Sequence, residues 1–215
     1  MSDKAEGDKW RLIEIGAVVV TGIMKYVFMD WLDFRVFYIA AACLFWIGYS
    51  YLRYRRNKSV LKDWGFRKKN FKKSFAFIAP FALAAVVGII WYGITINATF
   101  LNRNILPIFL FYPAWGIIQQ FLILGIVARN LYEIRSIRLN KLRIVLIVSA
   151  VFSFVHYPDF LLVVFTFFME LLFGLAYFKW RNLWSLGLYH GWVASLLLFF
   201  VLGRDLWMEL WTIFL

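Results

Sequence analysis

Five hydrogen-bonding side chains interrupt the long apolar runs in the second half of this 215-residue sequence. They are Gln119, Gln120, His156, Glu170 and His190. A histidine or a buried carboxyl group can take up and release a proton during catalysis. Two histidines and one carboxylate can also hold a zinc ion. A glutamine amide does not titrate, so it can orient a water molecule or donate to an oxyanion but cannot act as a base.

The elements that must position these side chains are seven candidate membrane-spanning helices. A spanning helix needs about 20 mostly apolar residues. The apolar runs cover about 10–29, 35–52, 74–95, 105–129, 143–157, 160–178 and 183–203. They are too long for barrel strands and do not alternate between apolar and polar residues. The sequence therefore predicts an all-α integral membrane protein with about seven transmembrane helices in one bundle.

Composition and charge support the membrane assignment. The chain is 63% hydrophobic, whereas soluble domains are nearer half. The net charge of +12 is concentrated in short connectors, and residues 53–73 alone hold ten Lys and Arg. Such connectors are typical of cytoplasmic loops that meet anionic headgroups. We therefore expect membrane lipid rather than nucleic acid as a partner, a cytoplasmic N-terminus and a prokaryotic plasma membrane. The single cysteine, Cys43, excludes an intramolecular disulfide and a cysteine metal site.

The five polar side chains are predicted to lie at one depth. With a rise of about 1.5 Å per residue, Gln119, Gln120, Glu170 and His190 lie about 13–15 Å from the basic ends of their helices. His156 lies about 20 Å from the basic end of its helix. Charged groups at this depth cost a few kcal/mol, so we expect one polar pocket that is lined by the last four spans and reached from the cytoplasmic side. The alternative is that these side chains only join the helices through hydrogen bonds.

Three short motifs in this half of the chain resemble the CAAX-protease and bacteriocin-processing (CPBP) family of intramembrane proteases. That family shows a Glu-Glu pair, then three residues, then Arg and often Gly; its second motif is FxxxH, and its third is His with Asn or a similar residue four positions later. Here "QQFLILG" (119–125) aligns with the first motif, "FSFVH" (152–156) with the second and "HGWVA" (190–194) with the third. The resemblance covers roughly residues 63–200. It implies three parts, which are a two-helix segment with its basic connector (1–62), a CPBP-like core (63–203) and a short interfacial tail (204–215).

The sequence also departs from the family pattern. Gln119 and Gln120 replace the two glutamates, Leu124 takes the Arg position and Ala194 takes the Asn position. Phe152, His156, His190 and Gly125 are retained. The replacements form a consistent neutral set, because a buried Arg without carboxylates would be an uncompensated charge. The pattern indicates an altered site of the family type.

The resemblance implies a type 2-like CAAX prenyl endopeptidase, if the protein is active, acting on a membrane-associated peptide or protein. The predicted catalytic residues are His156, His190, Gln119, Gln120 and Glu170. No cofactor is certain, but His156, His190 and Glu170 form a candidate set for a divalent metal such as zinc. Three functions stay open. The first is an endopeptidase in which Glu170 supplies the missing carboxylate. The second is a non-catalytic scaffold or regulatory subunit that binds a partner through the same cavity, and the third is a small transporter. The absence of inverted repeats in the sequence disfavours the last.

Overall fold

The computed structural model describes residues 2–96, 103–134 and 136–211, and within these ranges it is helical without strands. Two of the helices continue into π-helical segments, which we call π1 (Tyr26–Trp31) and π2 (Phe121–Ala128). The α-helices are α1 (Ser2–Lys25), α2 (Arg35–Arg56), α3 (Val60–Trp64), α4 (Phe71–Thr95), α5 (Ile105–Gln120), α6 (Arg129–Glu133), α7 (Lys141–Phe154), α8 (Phe160–Trp180), α9 (Leu183–Phe200) and α10 (Leu206–Trp211). The predicted all-α membrane fold is confirmed.

Six helices in the described part of the chain are long and apolar enough to span a membrane. They are Gly7–Trp31, Arg35–Arg56, Phe71–Thr95, Ile105–Glu133, Phe160–Trp180 and Leu183–Phe200. The seventh predicted span, at 143–157, is not among them. Its place is taken by α7, whose 14 residues give a length of about 21 Å. The helix ends early because Pro158 has no backbone N–H to continue the ladder, and the amides of His156 and Tyr157 bond in tight turns instead.

The basic connectors meet at one end of the bundle, which we call the basic end. The Arg67 guanidinium donates to the carbonyls of Trp180 and Arg181, and the Asn182 amide donates back to the Arg67 carbonyl. From the N-terminal helix, Arg11 pairs with Glu133 at the end of α6. This common placement agrees with the predicted topology. Which side of the membrane the basic end faces stays a prediction.

A buried polar cluster ties the two N-terminal helices to the rest of the bundle near the basic end. Glu14 of α1 accepts hydrogen bonds from the Tyr49 hydroxyl and from Asn130 Nδ2, the latter at 2.6 Å. Its carboxylate also lies 2.9 Å from Arg53 Nη1. These contacts join α1, α2 and α6. The boundaries predicted at 62/63 and 203/204 stay predictions, and residues 212–215 of the predicted tail lie outside the described residues.

Helices α5 and α9 cross at backbone contact, and this crossing positions the candidate site. A Cβ added at Gly191 would lie 2.3 Å from the Pro113 Cα, and one at Gly187 would lie 2.5 Å from the Ile117 Cα. One at Gly116 would lie 2.6 Å from the Gly187 carbonyl oxygen. Glycines spaced four apart let apolar helices pack this closely within a membrane. The crossing brings the C-terminal turn of α5, with its two glutamines, against the middle of α9.

Candidate functional site

The Gln120 amide joins two of the predicted site residues. Its Nε2 donates to Glu170 Oε2 at 2.8 Å and lies 3.0 Å from His190 Nδ1. Gln120 and Glu170 have no exposed surface, and His190 is 2% exposed. One side chain from each of α5, α8 and α9 therefore meets the others in the interior, as the depth argument predicts.

The same contacts set the hydrogen-bonding state of the His190 ring. The Gln120 Nε2 group carries only donor hydrogens, so Nδ1 of His190 must be the acceptor. In a neutral imidazole the other nitrogen then carries the proton. His190 consequently keeps an Nε2–H donor for any other partner.

His156 has the opposite arrangement. It lies in the turn after α7, where Nδ1 is 3.0 Å from the Phe152 carbonyl oxygen. A carbonyl only accepts, so Nδ1 carries the hydrogen and Nε2 keeps a free lone pair. The Phe152 ring packs against both imidazoles, with centroid distances of 5.1 Å to His156 and 5.5 Å to His190. The two histidines therefore flank one aromatic ring. His190 has a free Nε2–H donor, and His156 has a free Nε2 acceptor.

A cavity of about 960 Å³ adjoins these residues, and its lining includes Gln119, His156 and His190. Gln120 and Glu170 do not line the cavity and are buried in the protein interior. The Gln119 Oε1 atom is buried without a hydrogen-bond partner among the described residues. An unpaired buried acceptor costs about 1–3 kcal/mol, so a donor from a ligand in the cavity would be stabilising there.

The direction of the cavity differs from the sequence-based expectation. Its lining includes Lys25, Arg35, Arg204 and Trp207, all at the end of the bundle that is opposite to the basic end. The basic end of the core is filled instead, with the Trp64 and Phe121 rings packed 5.0 Å apart and Leu183 fully buried. The predicted access from the basic end is therefore wrong.

The candidate metal set is not brought together. Among the residues that the structure describes, no group of three or more His, Cys, Asp or Glu side chains could hold a metal ion. The predicted ligand atoms do not fit a metal ion, because the Gln120 amide lies between Glu170 and His190. This amide already bonds to the Nδ1 atom of His190 that would face the carboxylate. His156 uses its Nδ1 on a backbone carbonyl.

Two positions at which the motif alignment predicts a departure from the family pattern carry uncharged side chains in the structure. Leu124, at the Arg position, lies in π2 and is fully buried among apolar side chains. Ala194, at the Asn position, lines the cavity. π-Helical turns occur frequently at functional sites, and π2 begins directly after Gln120.

Sequence reasoning did not find the charged group at the far end of the cavity. Arg35 and Arg204 both bond to Glu209 of α10, and all three line the cavity. In the sequence Arg35 is only the start of an apolar run, and Glu209 is part of the predicted interfacial tail. No pattern in the sequence pairs residues that are 174 positions apart.

The fold and this interior define a polytopic helical membrane protein with a polar site that faces an apolar cavity. Residues 100–196 match the family model described as type II CAAX prenyl endopeptidase Rce1-like. The matched segment contains all three motifs, so this comparison supports the CPBP resemblance that they predict for the second half of the chain. Neither a curated protein nor a solved structure matches the chain.

Proposed function

We propose that this protein is an intramembrane endopeptidase of the CAAX-protease type with an altered active site. The observation that carries the proposal is the pair of histidines on one cavity, with opposite hydrogen-bonding states set by their Nδ1 partners. Peptide hydrolysis requires one group that accepts a proton from water and another that donates to the oxyanion. His156 and His190 can supply these two functions without a metal or a glutamate pair.

In this mechanism the Nε2 atom of His156 takes a proton from a water molecule, whose oxygen attacks the carbonyl carbon of the scissile bond. The Nε2–H of His190 donates to the resulting oxyanion. When the C–N bond breaks, the proton on His156 passes to the leaving amine. Gln120 acts as a positioning residue, because its amide bridges Glu170 and the Nδ1 atom of His190.

The cavity walls support a ligand with apolar side chains and a polar backbone. The lining is mostly aliphatic and aromatic, with Gln119 as a buried acceptor beside the histidines. An N–H group of an extended peptide would satisfy the Gln119 Oε1 atom. We propose that the substrate is a membrane-associated peptide that enters from the end opposite to the basic connectors.

The direct test is cleavage of a prenylated CAAX-type peptide by the purified protein in lipid nanodiscs. We expect His156→Ala and His190→Ala each to lower the rate by about 10²–10⁴-fold, which is the range for a lost acid or base. Tyr157→Phe is the matched control, because Tyr157 is adjacent in sequence and 57% exposed. Cleavage that survives both histidine substitutions in correctly folded protein would refute the proposed mechanism.

A second test restores the carboxylates of the family motif. If the glutamines slow the reaction because they cannot accept a proton, Gln119→Glu with Gln120→Glu should raise the cleavage rate by about 10²–10⁴-fold. Gln119→Asn with Gln120→Asn is the matched control, since it changes both side chains without adding charge. Equal rates in the two double variants would mean that the missing carboxylates do not limit this site.

The second candidate function is a non-catalytic subunit that binds a peptide or membrane protein through the same cavity. The observation that favours it is the absence of a titrating group at 119 and 120. It predicts binding of a peptide with no product, even over long incubation and at high protein concentration. Reproducible cleavage that is abolished by His156→Ala would exclude it.

A further inference from the structure

The short helix α10 lies across the end of the cavity that is opposite to the basic connectors. Leu206, Trp207 and Glu209 of this helix line the cavity, whereas Met208 is 45% exposed. The Leu206 and Trp207 side chains also pack against the apolar cluster of that half of the bundle. Because α10 has only six residues, it is too short to be stable on its own, and contacts with other elements hold it in place.

The chain turns between α9 and α10 at Gly203. Its φ of 64° is in the left-handed region, which glycine adopts without steric cost. A Cβ added to Gly203 would meet nothing within 4 Å, so no neighbouring atom blocks that side of the turn. A rotation about Gly203 would move α10 while the helical hydrogen bonds of α9 stay intact.

An ion pair joins α10 to α2 across this end of the cavity. Arg35 Nη1 lies 2.5 Å from Glu209 Oε2, and the two residues are 174 positions apart in the sequence. The Arg204–Glu209 contact connects residues of the same short segment, so it does not tie α10 to another element. At the start of α10, the Asn104 amide donates to Asp205 at 2.7 Å. The ion pair with Arg35 therefore ties the part of α10 beyond this start to the opposite wall of the cavity.

The strength of the Arg35–Glu209 pair suits a contact that breaks and forms again. The two side chains are 28% and 27% exposed, and partly exposed ion pairs contribute little to stability because water screens them. The Arg35 Nε atom is buried without a hydrogen-bond partner among the described residues, so the closed arrangement does not satisfy the guanidinium fully. Local opening of a short segment needs much less free energy than unfolding of the whole bundle.

We propose that α10 is a gate across the entrance of the cavity and that the Arg35–Glu209 ion pair holds this gate closed. Rupture of the pair and rotation about the turn at Gly203 open the cavity to water at this end. The gate therefore limits how fast a peptide reaches His156 and His190, and it has no direct part in the chemistry. The inference rests on the proposed function, because it describes how access to that same site is regulated.

The test measures how fast a charged, water-soluble thiol reagent modifies Cys43 in phosphatidylcholine nanodiscs. Cys43 is the only cysteine in the chain and lines the cavity, and a charged reagent must reach it through water rather than through the hydrocarbon core. We expect Arg35→Gln and Glu209→Gln each to raise the modification rate by about fivefold or more. The double variant should react no faster than the faster single variant, because both substitutions break the same pair.

Arg11→Gln is the matched control for loss of an ion pair. It breaks the contact of Arg11 with Glu133 at the basic end, which also joins distant segments and has side chains that are 31% and 26% exposed. Cys43 in this variant should react at the wild-type rate. Arg35→Lys should react more slowly than Arg35→Gln, because it keeps a cation beside Glu209. Equal rates in the Arg11→Gln and Arg35→Gln variants would overturn the gate.

A cysteine in the core distinguishes gate opening from unfolding of the whole bundle. Ser149 is fully buried and does not line the cavity, so Ser149→Cys combined with Cys43→Ser places the thiol where only unfolding exposes it. In this background Arg35→Gln should leave the modification rate unchanged. An increase as large as the one at Cys43 would mean that the bundle unfolds and would count against the gate.

Cleavage assays separate this inference from the proposed function. If peptide entry limits the reaction, Arg35→Gln should raise kcat/KM and leave kcat unchanged. Faster modification of Cys43 in the Arg35→Gln variant, with no cleavage by any variant, would support the gate and refute the endopeptidase. Cleavage by the wild-type protein, with equal modification of Cys43 in the wild-type and Arg35→Gln proteins, would support the endopeptidase and refute the gate.

Discussion

Gly191→Ala tests whether the backbone contact between α5 and α9 builds the candidate site. The added Cβ would lie 2.3 Å from the Pro113 Cα and 2.5 Å from the Pro113 nitrogen. Ordinary carbon contacts are about 3.5–4.0 Å, so the two helices must separate locally by about 1 Å or more. The Gln120–His190 contact at 3.0 Å would then exceed the range of a hydrogen bond.

The expected energy change follows from two opposing effects. Alanine is more favourable than glycine in a helix by about 1 kcal/mol. Overpacking at a rigid backbone contact costs about 1–3 kcal/mol, and occasionally more. We therefore expect Gly191→Ala to lower the unfolding temperature and to reduce peptide cleavage and binding together.

Gly88→Ala is the matched control, because a Cβ at Gly88 of α4 meets nothing within 4 Å. It makes the same chemical change in a helix and should leave the unfolding temperature unchanged or raised. The assay is thermal unfolding in nanodiscs for both variants, followed by the activity and binding measurements. If Gly191→Ala is as stable and active as Gly88→Ala, the close crossing does not position the site and the reasoning is wrong.

Three further predictions concern the contacts that hold the bundle together. Tyr177→Phe removes a buried hydroxyl that donates to the Trp64 carbonyl at 2.8 Å. This substitution should lower the unfolding free energy by about 1 kcal/mol. The control Tyr157→Phe, at an exposed position, should change the unfolding free energy by less than about 0.5 kcal/mol. Glu14→Ala removes the acceptor that joins α1 to α2 and α6 and should cost roughly 2 kcal/mol, against less than about 1 kcal/mol for Asp30→Ala at an exposed ion pair. Burial alone would raise the pKa of the Glu209 carboxyl, but hydrogen bonds and charges from Arg204 and Arg35 outweigh burial and lower the pKa below 4.5. The stability that Glu209 contributes should therefore be complete above pH 4.5 and be lost as the pH falls through its lowered pKa. The unfolding temperature of the wild-type protein should accordingly decrease in this acid range, and the Glu209→Gln variant should lack this decrease.

Most of the architecture could be predicted from the sequence because membrane helices are long, local and apolar. Six of the predicted spans correspond to helices that can cross a membrane. The exception, α7, shows the limit of hydropathy as a signal, because apolar residues continue to Val155 while Pro158 ends the helix. The grouping of basic connectors at one end also followed from local composition, since charged connectors avoid the hydrocarbon core.

The candidate site was predictable only in part. Depth along each helix placed Gln120, Glu170 and His190 correctly relative to one another, because a helix rises by a fixed distance per residue. Depth alone does not determine which way a side chain points, so the amide between Glu170 and His190 and the resulting exclusion of a metal set were missed. The cavity direction was missed for a related reason. It depends on where α1 and α10 pack, which is a tertiary property.

Gln120 takes part in hydrogen bonding within the site. Gln120 uses its amide to contact both Glu170 and His190, and a leucine there would leave a buried carboxyl group and a buried imidazole without that partner. Polar side chains at this depth are costly in a membrane, and well-packed apolar residues of similar volume often make a helix bundle at least as stable. The interior instead retains Gln119, Gln120 and Glu170, of which each has an oxygen atom without a partner among the described residues. Of these three residues only Gln119 lines the cavity, so a peptide with backbone N–H groups there would give its Oε1 atom the donor that helix packing does not supply.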